Sequence, residues 1–184
     1  YGYTKLEIEN LLVWFSKLKN IRFASLRYFN AAGYDIDGEI NGLEKEPNNL
    51  IPIVLETIMG KRKEVVVFGS DYDTHDGSCI RDYIHVNDLA EAHLKALDYL
   101  VSQNQNLVVN LGTSKGLSVL EVLSIARKVS GTDFKFKLGP RRAGDPAVVL
   151  AKASLAERLL HWTPKNSNAT TLLETSLRAY RKNS

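Results

Sequence analysis

Tyr1 and Lys5 open the chain in the stretch Tyr1-Gly2-Tyr3-Thr4-Lys5. On a helix, side chains four residues apart stand one turn apart on the same face, which brings the phenol beside the ammonium. A free phenol titrates near pH 10 and is a poor base at neutrality, but a cation held beside it favours the phenolate and brings it toward the working range. The pair is suited to general acid-base chemistry. Four further clusters carry polar and aromatic residues at predicted strand ends and loops, where an open α/β sheet forms its ligand crevice. They are Arg27-Tyr28-Phe29-Asn30, Asn48-Asn49-Leu50, Arg81 with Tyr83, and the loop that holds Arg141, Arg142 and Asp145. The second runs into a helix N-terminus, whose amides suit an anion such as a diphosphate. Arg81 and Tyr83 can act as a clamp, and an Arg beside Asp145 can hold phosphate while the carboxylate accepts from ribose hydroxyls. Each cluster also has a plainer reading as a cap, a surface ion pair or a charged turn.

The elements that must position these groups follow from the period of the apolar residues. Ile8, Leu11, Leu12, Phe15 and Leu18 recur at helical spacing over residues 6–19. Residues 21–29 are short and mostly apolar, as expected of a buried parallel strand. Residues 30–49 form a long polar loop, and loops of that length in a compact domain are usually functional. Pro52 near a start and Gly60 at a stop bracket a helix over 50–59, and a strand follows at 65–68. Residues 80–86 alternate, which predicts one strand with Arg81, Tyr83 and His85 on one face and Ile80, Ile84 and Val86 on the other. Four Ser/Thr/Asp…Glu pairs predict capping boxes: Asp88 with Glu91, Ser118 with Glu121, Ser154 with Glu157, and Thr171 with Glu174. Strands are expected at 107–111 and 134–138. The order α, β, α, β, β, α, β, α, β, α, α is that of an α/β chain without internal repeats.

The bulk composition narrows the function. A net charge of +3 arises from 24 basic and 21 acidic residues that are mostly scattered, which excludes the basic stripe of a nucleic-acid surface. Cys79 is the one cysteine, so no internal disulfide forms, and no metal site is expected because His75, His85, His93 and His161 lack ligand spacing. No apolar run approaches the roughly 20 residues of a membrane-spanning helix, and no signal-peptide pattern is present, so a cytoplasmic location is expected. Trp14 and Trp162 are read as core or interface residues.

Together these residues resemble the C-terminal portion of the UDP-glucose 4-epimerases, extended short-chain dehydrogenase/reductases. The resemblance rests on YGYTK at 1–5, LRYFNAAG at 26–33, NNLIP at 48–52, VFGSDYDTHDGSCIRDYIHVNDLAEAH at 67–93, NLGTSKG at 110–116 and PRRAGDP at 140–146. Tyr-x-x-x-Lys marks only the superfamily; YFNAAG together with DGSCIRDYIHV is narrower. The implied fold is the C-terminal part of a Rossmann-type enzyme: residues 1–30 end the NAD-binding domain, and residues 31–184 form mainly a smaller UDP-sugar-binding domain with some elements returning to the Rossmann sheet.

The resemblance also implies NAD as cofactor and a reaction that restores it. Tyr1, as phenolate, takes the proton of the sugar 4-hydroxyl while hydride leaves C4. A 4-keto sugar turns over in the pocket, hydride returns to its other face, and Tyr1 gives the proton back. Lys5 bonds the nicotinamide ribose and keeps Tyr1 ionised, and Tyr28 lies on the nicotinamide side. The implied UDP-sugar contacts are Phe29, Asn30, Asn49, Leu50, Val66, Phe68, Arg81, Tyr83, Arg142 and Asp145. Val149 occupies a position that gates the sugar 2-substituent, and its intermediate size leaves N-acetylated substrates open. NLGTSKG departs from the usual Gly-rich form at Ser114. A homodimer is expected of the complete protein. The alternatives are another NAD-dependent nucleotide-sugar epimerase, a 4,6-dehydratase, which would need an acid-base pair just before Tyr1, or a non-catalytic UDP-sugar-binding module. The start inside a helix and the lack of a Gly-rich dinucleotide turn lead to the further expectation of a fragment, inactive by itself and prone to self-association.

Overall fold

The computed structural model describes residues 2–184, so the predicted base Tyr1 lies outside the described residues. Helix α1 (Gly2–Lys19) leads to strand β1 (Ala24–Tyr28), and Glu9 ties the two together. The Glu9 carboxylate accepts from Ser25 Oγ at 2.5 Å and from Arg27 Nε at 2.7 Å, and a second Arg27 nitrogen completes the pair. The Arg27 hydrogen bond, against some desolvation, holds the Glu9 carboxyl at about 2. Arg27 is thereby committed to the scaffold. The apolar stripe of α1 faces outward instead of into a core, with Leu11, Trp14, Phe15 and Leu18 each more than half exposed.

The remaining elements are strands β2 (Asn30–Ala32), β3 (Val65–Phe68), β4 (Ile80–Arg81), β5 (Tyr83–His85), β6 (Leu107–Leu111), β7 (Leu117–Ser118), β8 (Phe136–Gly139) and β9 (Val148–Val149), with helices α2 (Leu50–Ile58), α3 (Val86–Gln103), α4 (Val119–Ser130), α5 (Ser154–Leu160) and α6 (Ala169–Lys182). Strand pairing is mostly parallel. β1 pairs with β6 with Tyr28 opposite Leu111, β2 with β5 with Asn30 opposite Tyr83, and β3 with β8 with Phe68 opposite Gly139. β4 lies between antiparallel β7 and parallel β9. Two cores result. One gathers Ile84, Leu89, Leu107, Val109, Leu111 and Trp162 around β6 and α3; the other gathers Val54, Leu55, Val65, Val67, Leu172 and Tyr180 between α2, β3 and α6.

The expected strand over 80–86 is broken at Asp82, whose carboxylate is 1 % exposed. Oδ1 accepts from Thr113 N at 2.9 Å and Thr113 Oγ1 at 2.7 Å, and Oδ2 from Ser114 N at 3.0 Å and Ala151 N at 3.1 Å. β4 and β5 consequently join different sheets. Tyr83, Ile84 and His85 are all buried and Val86 starts α3, so the alternation does not mark one open face.

Of the four expected capping boxes one forms, two are replaced by other caps, and one position carries no side-chain cap. Ser118 and Glu121 form theirs, each side chain bonding the other's backbone N–H. Asp88 turns inward instead, to Asn166 N at 2.9 Å and Ser167 Oγ at 2.5 Å, and His85 caps α3 through Nδ1, which accepts from Asn87 N at 3.1 Å. Ser154 is the first residue of α5, after Ala153, which makes no side-chain cap. Asn168, not Thr171, caps α6 by accepting from Thr171 N at 2.9 Å.

With Nδ1 an acceptor, the neutral ring of His85 carries its proton on Nε2, 3.2 Å from Thr175 Oγ1. Burial pushes this histidine below its ordinary value, outweighing Asp88 and Asp35.

Two stability measurements follow from this. Asp82→Asn places an amide donor among four donors and is expected to lower the unfolding free energy by about 3 kcal/mol in urea titration; a loss below about 0.5 kcal/mol would show that these bonds are not the organising ones. A depressed histidine contributes stability that is intact above its unfolded value near 6.5 and is lost as pH falls below it. The stability drop between about pH 7.5 and 5.5 should therefore be shallower for His85→Gln than for the parent protein, and equal slopes would refute the assignment.

Candidate functional site

Strand β3 alternates, with Val65 and Val67 in the core and Val66 and Phe68 on the opposite side. That opposite side forms one wall of a cleft of about 590 Å³. Gly139, in register with Phe68, keeps the wall flat, since a Cβ there would come within 3.0 Å of Val66 Cγ1. A second side is the N-terminus of α2. Asn49 is extended and its side chain makes no cap bond, so the positive end of the helix opens onto the cleft at Leu50.

The charged groups come from β4 and the loop after β8. Arg81 is ion-paired with Asp145 and also donates to Ile80 O at 2.8 Å. The pair is mostly shielded, with side chains 14 % and 28 % exposed. Arg142 lies with its guanidinium 4.0 Å from the centre of the Phe68 ring, a cation–π contact. Tyr83 also lines the cleft, and burial raises its phenol above the ordinary value. Asn30 is fixed beside it, its Nδ2 donating to Asp82 O at 2.9 Å.

Of the predicted binding residues, Asn30, Asn49, Leu50, Val66, Phe68, Arg81, Tyr83, Arg142 and Asp145 line this one cleft. Phe29 and Val149 lie outside its lining, Phe29 at the junction of β1 and β2 and Val149 in β9 opposite Arg81. Tyr28, at the C-terminal end of β1, is 48 % exposed and packs edge-on against His93, with ring centres 6.3 Å apart. Lys5 lies in the first turn of α1. Glu64, Cys79 and Arg62 also line the cleft and were not predicted. A period of two could have found the first two, since Glu64 precedes Val66 and Phe68, and Cys79 precedes Arg81 and Tyr83, in the same parity. Arg62 had no such signal; it reaches the site by pairing with Glu56 and donating to Pro47 O at 3.0 Å. Burial pushes the Cys79 thiol up, which favours the thiol over the nucleophilic thiolate.

A flat apolar wall, the guanidiniums of Arg81 and Arg142, a helix N-terminus and the Asp145 carboxylate match the base, phosphates and hydroxyls of a nucleoside diphosphate. A second cavity of about 490 Å³ shares Asn49 but is lined by Asp35 and Glu44 and by no cationic side chain, which disfavours a dianion there. Among the described residues no cluster of acidic, His and Cys side chains is disposed to hold a metal ion, and no helix is long and apolar enough to cross a membrane.

Residues 1–112 match the NAD dependent epimerase/dehydratase family. The chain belongs to that family. It is similar to the UDP-glucose 4-epimerase of Halalkalibacterium halodurans, 45 % identical over 95 % of this chain and 52 % of the relative. It superposes on the crystal structure of UDP-glucose-4-epimerase from Stenotrophomonas maltophila with bound NAD and formylated UDP-arabinopyranose, with a TM-score of 0.94 and 41 % identity over 99 % of this chain and 55 % of that one. The UDP-glucose 4-epimerase from Bifidobacterium longum in complex with NAD+ and UDP gives a TM-score of 0.90 at 38 % identity over 100 % and 55 %. The chain spans about half the length of the curated relatives it matches. The fold is thus that of the C-terminal part of an extended short-chain dehydrogenase/reductase. Ser114, the departure from the Gly-rich loop, sits at φ 58, a left-handed conformation that glycine adopts without strain. Its amide is nonetheless one of the four donors on Asp82.

Proposed function

We propose that the complete protein interconverts UDP-glucose and UDP-galactose, with NAD as cofactor, through a 4-keto sugar. One observation carries this reading: Arg81–Asp145, Arg142 over Phe68 and the open end of α2 converge on one cleft sized for a nucleotide. The names of the relatives and the family support it. The uracil lies along Val66 and Phe68, the diphosphate takes Arg81, Arg142 and the amide end at Asn49 and Leu50, and Asp145 accepts from ribose hydroxyls. Phe29, Asn30 and Val149 face the sugar.

The residues toward the cofactor fit it. Tyr28 is exposed at the carboxyl end of a parallel strand, where α/β sheets hold dinucleotides, and Lys5 stands in the first turn of the preceding helix. Lys5 and Tyr28 would hold NAD, which when bound supplies a reversible hydride acceptor. Tyr1 moves the proton of the sugar 4-hydroxyl, and Lys5 favours its phenolate. The outward apolar face of α1 serves as a subunit contact in a homodimer, and the lone, buried Cys79 accords with the cytoplasm.

Calorimetric titration with UDP tests the cleft. Arg81→Ala is expected to weaken binding by roughly 10- to 150-fold, the loss of one charge-assisted partner, and unchanged affinity would remove the diphosphate from this place. Tyr1→Phe should lower kcat by about 10² to 10⁴-fold with UDP affinity nearly intact. Near-normal turnover in that variant would eliminate Tyr1 as the base.

A further inference from the structure

The chain carries two adjacent arginines, and the structure gives them different work. Arg142 faces the cleft. Arg141 turns away, donating from Nε to Asp71 Oδ1 at 2.7 Å and from a terminal nitrogen to Asp71 O, with its guanidinium 4.3 Å from the centre of the Tyr72 ring. The two stacks, Arg141 on Tyr72 and Arg142 on Phe68, flank Gly69. That glycine has φ +81, and a Cβ on it would lie 2.4 Å from Tyr72 Cε2 and 2.9 Å from Arg141 Cγ, so the arrangement needs its absence.

The turn that receives Arg141 is itself anchored. Tyr72 is 5 % exposed, and its N–H donates to Gly77 O at 2.9 Å. Asp76 accepts from Ser78 N at 2.9 Å and Ser78 Oγ at 2.8 Å through one oxygen, and from the α4 cap Ser118 through the other. Ser78 Oγ in turn accepts from Leu120 N at 3.2 Å. The N-terminus of α4 thus fixes the turn over 70–78, the turn fixes Arg141, and Arg141 fixes the start of the loop that presents Arg142 and Asp145. On the other side Gly69 N donates to Gly139 O at 2.9 Å, so the latch closes the loops leaving the paired strands β3 and β8 onto each other.

We propose that Arg141 is a positioning residue that holds Arg142 and Asp145 in place for the nucleotide diphosphate, an inference that rests on the cleft assignment above. The Arg141 and Asp71 side chains are 48 % and 75 % exposed, so their ion pair adds little to global stability. The role of the latch is local order, and its loss appears in ligand affinity. The Tyr72 hydroxyl, buried without a hydrogen-bond partner among the described residues, adds nothing to it; the ring does.

The test is UDP titration of the complete protein, with thermal unfolding and turnover measured alongside. Arg141→Ala should weaken UDP by about fivefold, the loss of an exposed cation–π contact and hydrogen bonds, with kcat retained and little change in Tm. Arg141→Lys, which keeps the charge but lacks the flat face and the second donor, should behave like Arg141→Ala, whereas Tyr72→Phe should bind UDP as the parent does. In an Arg142→Ala, Asp145→Ala background the effect of Arg141→Ala should shrink below about twofold, because a residue that acts through others is not additive with them. Full affinity in Arg141→Lys would show that Arg141 acts as a distant charge, and an undiminished effect in the Arg142→Ala, Asp145→Ala background would show that it acts independently; either overturns the latch. Arg142→Ala with unchanged UDP affinity would overturn the cleft assignment itself and the latch with it, while weakened binding in Arg142→Ala with unaltered binding in Arg141→Ala would overturn the latch alone.

Discussion

A carboxylate enclosed by the chain's own donors organises this molecule. Asp82 is buried between Arg81 and Tyr83, and its partners are the N–H groups of Thr113, Ser114 and Ala151 and the Thr113 hydroxyl rather than a cation. Burying a charge is costly unless every lone pair is used, and here the geometry uses them on two segments distant in sequence, residues 113–114 and Ala151. Gly112 shows how closely the loop approaches, since a Cβ there would lie 2.7 Å from Asp82 Oδ2. The Asp82 carbonyl receives both the backbone N–H and the side-chain amide of Asn30. One residue therefore sets the start of β2, the loop after β6 and the segment after β9, and with them the neighbours Arg81, Tyr83 and Asn30 that line the cleft.

The same residue explains where the sequence misleads. Strands β3 and β6 and helix α2 follow their apolar periods closely, because burial on one or both faces leaves few other arrangements. The alternation over 80–86 implies one strand, yet a carboxylate that gathers backbone donors from elsewhere divides it into two. Asp88 follows the same logic: the pattern with Glu91 suits a capping box, but its carboxylate is drawn to Asn166 and Ser167, 78 and 79 residues away, and His85 takes over the cap. Two-residue strands such as β7 and β9 have no period to detect. Their pairing is dictated by the segments they border.

For the candidate site, residue types were legible and partnerships were not. Arg81, Arg142 and Asp145 stand out as charged groups at strand ends, but no spacing reveals that Arg81 and Asp145, 64 residues apart, form a pair. Nor does the dipeptide Arg141-Arg142 disclose which arginine faces the cleft. That division depends on a ring placed under each guanidinium, and the rings come from a strand and a turn some 70 residues upstream. Parity along β3 and β4 was the unused signal, since it carries Glu64 and Cys79 onto the same wall as the residues recognised from their type.

Strand direction joins these observations. β1, β3 and β8 all run parallel to their partners, so their carboxyl ends deliver Tyr28, Phe68 and the Arg141–Asp145 loop, the positions where an α/β sheet leaves its crevice. The Arg81–Asp145 pair is shielded enough to hold its geometry, yet a shielded ion pair is close to neutral in net stability because desolvation offsets attraction. On the proposed reading, a diphosphate at Arg81 would exchange one anionic partner for another without breaking a deep well. Asp145 would then be a carboxylate in need of donors, and ribose hydroxyls are the donors a nucleotide brings with its phosphates. On the proposed reading the pair would serve both ends of recognition, the guanidinium meeting the phosphates and the carboxylate the hydroxyls.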